Sequence, residues 1–220
     1  MTPAGPAGEG GPLPAEAHAE ALAEVLEESR DLGFLGPGPL GPQVDHARGF
    51  ASVVGRAPAS FLDLGAGGGL PGLVLASGWP SAQAVLLDAS ARRTDFLRRA
   101  CTRLGFGDRV TVVCARAEVA GRDPGWRGRF DLVVARSFGP PAVTAECGAG
   151  FLGPGGRLVV SEPPDDEGER WPVAGLDRLG LVRQTGPGAE FRYAVLGRAE
   201  PLGPGFPRRD GMPRKRPLWA

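Results

Sequence analysis

An acidic residue and a knot of glycines share the end of one apolar run, Ser60-Phe-Leu-Asp-Leu-Gly-Ala-Gly-Gly-Gly-Leu-Pro-Gly72. Asp63 stands two residues before Gly65, and Gly65, Gly67, Gly68 and Gly69 put four glycines into five positions. An apolar run closed by glycine reads as a buried parallel strand feeding a tight turn. Glycine suits that turn because it reaches positive φ and lets a ligand approach the backbone. Counted from Gly65, a dinucleotide fingerprint Gly-x-Gly-x-x-Gly would need glycine where Leu70 stands, whereas Gly67, Gly69 and Gly72 satisfy it. The glycines therefore do not choose the ligand. Asp63 does more, since a carboxylate beside the loop repels a pyrophosphate and attracts the cationic amino group of S-adenosylmethionine (SAM). Asp88 closes the next apolar run, Ala84-Val-Leu-Leu-Asp88. At a strand tip its carboxylate can accept both hydroxyls of a ribose. Two acidic strand tips around a glycine loop describe a SAM crevice.

The elements around this crevice alternate as an α/β protein requires. Pro71 suits the start of a helix. Ser90 caps another, on which Phe96, Leu97, Ala100, Cys101 and Leu104 share a face. Arg92, Arg93, Arg98, Arg99 and Arg103 occupy much of the remainder and read as a solvated face. Further strands are expected at Val110–Cys114, Phe130–Ala135 and Arg157–Ser161, with Gly153-Pro-Gly-Gly156 as a turn before the last. A helix over about 140–151 lies between the last two. Strands near 180–184 and 191–196 complete a seven-stranded, mostly parallel sheet as a hairpin, the last strand inserted antiparallel, with helices on both faces. Upstream, a helix over 14–32, a structureless Gly/Pro loop over 33–42 and a helix over 44–54 are expected to cover the sheet. His46 reads as a packed or solvated side chain. The organisation is a disordered tail (1–14), N-terminal helices and loop (15–57), a SAM-binding core (58–200) and a basic end (201–220).

Composition narrows the class. The chain has 220 residues and zero formal net charge, so it is not a generic polyanion binder. Its charges are segregated, with glutamates dominating before Asp31 and Arg208, Arg209, Arg214, Lys215 and Arg216 crowding the end. Cys101, Cys114 and Cys147 are odd in number and show no paired spacing, which reads as buried thiols in a reducing cytosol. With two histidines in the chain, no metal site is expected. No membrane span or leader is expected either, which points to a cytoplasmic protein. A monomer is expected.

Four segments together resemble the glucose-inhibited-division B family, also called RsmG. They are the glycine loop through Leu70-Pro-Gly72, Leu86-Leu-Asp88, Arg116-Ala-Glu118 and Val134-Ala-Arg-Ser-Phe138. The ending Phe206-Pro-Arg-Arg-Asp-Gly-Met-Pro-Arg-Lys-Arg-Pro-Leu218 is similar to that family's ending as well. The resemblance implies a class I SAM-dependent methyltransferase (Rossmann-like) acting on N7 of a guanine in small-subunit (16S) rRNA, naked or in the ribosomal particle. It implies that Gly65, Gly67 and Leu70 line SAM with Asp63 and Asp88, and that Ala117 and Glu118 meet its adenine. Arg136 would sit beside the transferring methyl as the catalytic residue, and Arg208, Arg209, Arg214, Lys215 and Arg216 would hold RNA. This chain departs from its relatives in lacking the Trp-Asn and Asn-Leu-Thr segment, in His46-Ala-Arg-Gly-Phe50, and in ending strand five with Ser161-Glu-Pro163.

The residues themselves bear on the reaction. Guanine N7 has a free lone pair, so no proton must leave before attack and positioning can supply most of the rate. Methylation at carbon five of a pyrimidine needs a cysteine nucleophile, and no Pro-Cys or Thr-Cys follows strand four or five. An Asn/Asp-Pro-Pro-Tyr tetrad is missing after strand four, which disfavours amino-group methylation. A small-molecule methyltransferase and a non-catalytic SAM- or RNA-binding protein stay open beside the rRNA reading.

Overall fold

The computed structural model describes residues 15–164, 170–185 and 190–219. The expected tail, 1–14, lies outside them. The strands are β1 (Ser60–Leu64), β2 (Gln83–Asp88), β3 (Val110–Cys114), β4 (Phe130–Ala135), β5 (Leu152–Ser161), β6 (Leu181–Gln184) and β7 (Tyr193–Arg198). They form a seven-stranded sheet ordered β3-β2-β1-β4-β5-β7-β6, in which β7 runs antiparallel to both β5 and β6. Successive residues of β1 part to opposite faces, as strand geometry demands. Phe61 joins Val25, Phe50, Phe96 and Val134 in one core, while Leu62 and Leu64 join Phe151, Leu158 and Leu196 in the other.

On the first face lie α1 (Ala15–Asp31), α2 (Leu40–Val54), α3 (Gly72–Gly78) and α4 (Ala91–Arg103). Ser90 caps α4 by accepting from the Arg93 amide at 3.4 Å. The arginines of α4 are not simply solvated. Arg99 meets Glu28 at 3.6 Å, Arg98 meets Asp95 at 2.7 Å, and Arg103 pairs with Glu24 and Glu28. The acidic N-terminal helix neutralises much of the basic face.

The loop expected over 33–42 is shorter than its composition suggests, because α2 begins at Leu40 and carries Gly41 and Pro42 in its first turn. Proline costs nothing there, since that N–H has no partner within the helix. The expected turn 153–156 is likewise drawn into β5, which starts at Leu152 with an irregular register against β4 between Phe130 and Leu132. Cys101 and Cys147 are buried, but Cys114 is exposed at the sheet edge, where β3 has no outer neighbour.

The other face carries α5 (Ala117–Ala120), α6 (Pro141–Ala149), α7 (Val173–Asp177) and α8 (Met212–Lys215). Glycine and prolines in the basic end predict an extended or turn-rich ribbon, and the segment is largely turns, interrupted by the one helical turn of α8 with Pro213 in its first turn. The segment is strapped down. Arg127 donates to the Phe206 carbonyl at 2.6 Å, Arg122 to the Pro207 carbonyl at 2.8 Å, and Trp219 to the Arg170 carbonyl at 3.1 Å.

Candidate functional site

The C-terminal ends of β1, β2 and β4 meet at a crevice, the usual ligand position in an open α/β sheet. A cavity of about 300 Å³ there is lined by Gly65, Gly67, Leu70 and Arg136, with Phe34, Gln43 and Arg93 at its walls. Gly65 has φ 75°, and a Cβ on it would stand 2.7 Å from the Phe138 ring. Only glycine fits without displacing that ring. Gly68 is hemmed in from the other side, its carbonyl accepting from the Ser29 hydroxyl at 2.8 Å beneath Leu35. The 34–36 stretch of the expected loop is therefore part of the crevice wall.

Asp63 is 1% exposed. One of its oxygens accepts from the Gly72 amide at 2.8 Å, while the other is buried without a hydrogen-bond partner. Burial raises its pKa to about 7, and the neighbouring Asp88 adds to the rise. Asp88 accepts from the amides of Gly67 and Ser90, at 2.9 and 2.8 Å, which fixes the glycine loop to the β2 tip.

Arg136 stands at the end of β4 with Gln43 of α2 as its partner, reaching the side-chain oxygen at 3.2 Å and the carbonyl at 3.4 Å. Ser137 beside it has φ 54°, the one non-glycine residue with positive φ among those described. Backbone held in that region is strained and tends to mark functional positions. Arg136 and Ser137 also line a second cavity of about 760 Å³, together with His46, Phe138, Glu162 and Phe191. His46 is thus not merely packed. Burial, and then the Arg136 charge, lower its pKa to about 4, so its ring is neutral at neutral pH.

The other expected site residues lie apart. Ala117 and Glu118, at the start of α5, do not line the smaller cavity. The Glu118 carboxylate accepts from Arg116 at 2.7 Å and from the Gly211 amide at 2.9 Å, tying α5 to the C-terminal strap. Burial alone would raise its pKa, but these hydrogen bonds outweigh it and hold the carboxyl below its ordinary value. Arg208 is an anchor, clasping Glu146 of α6 at 2.9 and 2.6 Å. Arg209, Arg214, Lys215 and Arg216 are exposed and make no ion pair with a described residue. Among the described residues no group of three His, Cys, Asp or Glu side chains could hold a metal ion, and no helix is long and apolar enough to cross a membrane.

Gln43, Trp171 and Phe191 were not among the expected site residues, and Glu162 was noted only as a departure at the end of strand five. Only Glu162 had a usable signal, its place at the end of a parallel strand.

The sheet order, the antiparallel β7 and the glycine loop after β1 define the class I SAM-dependent methyltransferase fold. An O-methyltransferase from Bacillus cereus solved in complex with SAH superposes with TM-score 0.56 over 81% of this chain and 90% of that one, at 18% identity. A putative O-methyltransferase from Klebsiella pneumoniae gives 0.54 over 80% and 88%, also at 18%. Identity this low speaks for the fold alone. Sequence similarity is more specific. The family model GidB, rRNA small subunit methyltransferase G, matches residues 44–168, and the chain belongs to that family. The ribosomal RNA small subunit methyltransferase G of Prochlorococcus marinus (strain MIT 9313) is 36% identical over 173 residues, covering 75% of this chain and 70% of that protein. Its counterpart in Roseiflexus castenholzii is 35% identical over 171 residues, covering 74% and 73%.

Proposed function

We propose that this protein methylates N7 of a guanine in small-subunit rRNA, using SAM. The observation that carries the reading is the junction, because Arg136 and Ser137 belong to both the glycine-loop cavity and the larger one. A methyl donor and its acceptor must meet at such a shared wall. When bound, SAM supplies an electrophilic methyl on a cationic sulfur. The residues present fit that group. Asp63 keeps a buried oxygen without a partner beside the loop, suited to the donor's cationic end. Asp88 retains lone pairs for ribose hydroxyls beyond its two amide contacts. Gly65, Gly67 and Leu70 border the methionine portion. Ala117 and Glu118 would meet the adenine through their backbone, since the Glu118 carboxylate is occupied.

No base is required at N7. The neutral His46 and the Gln43-held Arg136 then serve orientation, which suits a reaction limited by placing a lone pair in line with the methyl. The exposed cations Arg209, Arg214, Lys215 and Arg216 would hold rRNA phosphates outside the crevice.

The test is transfer of labelled methyl from SAM to small-subunit rRNA, naked and in particles, with the product base identified by mass mapping. Wild type should yield 7-methylguanine. Arg136→Ala should cut turnover roughly a hundredfold while SAM affinity moves only a few-fold. Wild type that binds SAM but leaves rRNA untouched overturns the reading in favour of a small-molecule acceptor.

A further inference from the structure

Three hydrogen bonds converge on Gln43, in the first turn of α2. Its side-chain oxygen accepts from Nη2 of Arg136 at 3.2 Å, and its main-chain carbonyl accepts from Nη1 at 3.4 Å. Its side-chain nitrogen donates to the Gly36 carbonyl at 3.2 Å. The amide fits in one orientation. Turned over, it would set its NH2 against a guanidinium that can only donate, and its oxygen against a carbonyl that can only accept. Contacts to both terminal nitrogens fix the plane of the guanidinium as well as its place. Both oxygens are neutral, and Asp63 acts on Arg136 only through space. The charge is held without being neutralised. The two partners of the amide belong to different parts of the crevice. Gly36, with Phe34 and Leu35, walls the smaller cavity, whereas Arg136 lines the larger one as well. That wall rests on the glycine loop, for a Cβ on Gly68 would stand 2.6 Å from the Leu35 side chain and 2.9 Å from the Phe34 carbonyl. Phe34 is fixed in turn, its amide donating to the Ser29 carbonyl at 3.0 Å and its ring lying 5.0 Å from the Arg92 guanidinium.

We infer that Gln43 is the positioning residue for Arg136, and that its amide couples the wall of the donor cavity to the guanidinium on the acceptor side. The inference rests on the reading above, in which SAM fills the smaller cavity and the acceptor the larger, and deepens it. A ligand shifts an equilibrium only through contacts that differ between the two states. A donor in the smaller cavity touches Phe34, Gly36 and Gln43, so it favours the arrangement in which the amide bridges that wall to Arg136. By reciprocity, the acceptor should bind more tightly to the donor-loaded protein. The residue type matters. A glutamate in this place would pair off the guanidinium charge and offer the Gly36 carbonyl no donor, and a methionine of similar length would hold neither partner with its side chain.

The experiment starts with the full chain and no RNA. The Arg136 Nε–H is followed by proton–nitrogen NMR, assigned by its loss in Arg136→Lys, while S-adenosylhomocysteine (SAH), the donor without its methyl, is added. In wild type the signal should shift or sharpen. In Gln43→Glu it should persist but no longer respond, with SAH affinity within a few-fold of wild type. On small-subunit particles, SAH-loaded wild type should bind roughly tenfold tighter than free protein, and that factor should fall to about one in Gln43→Glu and Gln43→Met. Gln43→Met should also lower kcat about tenfold, since a misplaced positioning group costs rate more than affinity. A wild-type signal indifferent to SAH overturns the inference, even if neither variant folds. A response that survives in Gln43→Glu means that the donor acts on Arg136 directly, which overturns the coupling. A purely structural Gln43 would lower SAH affinity and kcat together and leave the binding factor in place, and that result overturns the inference as well. An Arg136 signal that answers to SAH through Gln43 in a wild type that methylates no particle supports the coupling and overturns the rRNA reading instead.

Discussion

Glu146 and Asp63 are both carboxylates at 1% exposure, one on each face of the same sheet, and the protein treats them in opposite ways. Glu146 is saturated. Both of its oxygens receive the Arg208 guanidinium, and one also receives the Arg208 amide at 2.7 Å. Asp63 has one amide bond, a second oxygen with no hydrogen-bond partner, and Arg136 acting on it only through space. Burying charge is costly unless it is paired, and an acid left underpaired drifts towards its neutral form. One acid spends its capacity on the fold. The other holds capacity back, and it is the one beside the glycine loop.

The strongest way to break this contrast is to unpair Glu146. Arg208→Met should cost about 3–5 kcal/mol of stability, the usual penalty for orphaning one member of a buried pair. Adding Glu146→Gln should recover most of that loss, because no charge then remains buried. Denaturant melts of the single and double variants measure it. A single variant that loses under about 1 kcal/mol would mean that the strap is not held by this clasp. Asp63→Asn should behave differently, leaving the melting temperature unchanged or raising it. SAM affinity, read by calorimetry, should fall roughly tenfold to a hundredfold, as expected when a charged acceptor is lost. If Asp63→Asn instead destabilises the fold and binds SAM normally, both acids are structural and the contrast fails.

The same logic of spent and unspent charge separates the two arginine-rich stretches. On α4, Arg98, Arg99 and Arg103 are engaged by Asp95, Glu24 and Glu28. On the strap, Arg208 is spent and Arg209, Arg214, Lys215 and Arg216 are exposed. Changing those four to Gln should weaken rRNA binding by about tenfold at moderate salt and reduce the salt slope by roughly three, at about 0.7 per phosphate contact. Changing Arg98, Arg99 and Arg103 to Gln should move rRNA affinity only within a few-fold. Equal effects from the two sets would mean that net positive charge, and not the fixed strap, attracts the RNA.

Sequence carried the glycine-loop side of the crevice because its residues are contiguous. A strand, a turn and a second strand tip place Asp63, Gly65 and Asp88 within 26 residues of one another, and parallel pairing of β1 with β2 does the rest. The larger cavity is assembled from residues 46, 136, 162, 171 and 191, which the sheet order and the antiparallel insertion of β7 bring together. No local pattern announces that. Charge partners were illegible for the same reason. Glu24 and Glu28 are far from Arg103 in the chain, and Glu146 shows nothing in its own surroundings of a clasp to Arg208. Backbone irregularities such as β5 starting at Leu152 were hidden because Gly-Pro-Gly-Gly reads as a turn until a neighbouring strand captures it.

The smallest effect is also the one that ties Asp63 most directly to its reserved role. Its pKa of about 7 in the folded chain stands against an ordinary value of 3.8. Between those limits the folded protein holds a proton that the unfolded chain has lost, so Asp63's contribution to stability declines as pH rises from about 4 to about 7 and then levels. A cationic ligand works the other way, because it favours the ionised carboxylate. SAM affinity should therefore rise with pH up to about 7, by at most about tenfold per pH unit, and flatten above it. Proton release on binding, measured as a buffer-dependent enthalpy in calorimetry, should be largest below pH 7 and vanish in Asp63→Asn. Stability and affinity then move in opposite directions over the same pH range through one side chain. A SAM affinity independent of pH from 5.5 to 7.5 in wild type would mean that Asp63 is already ionised, and that its buried oxygen is satisfied by something other than the ligand.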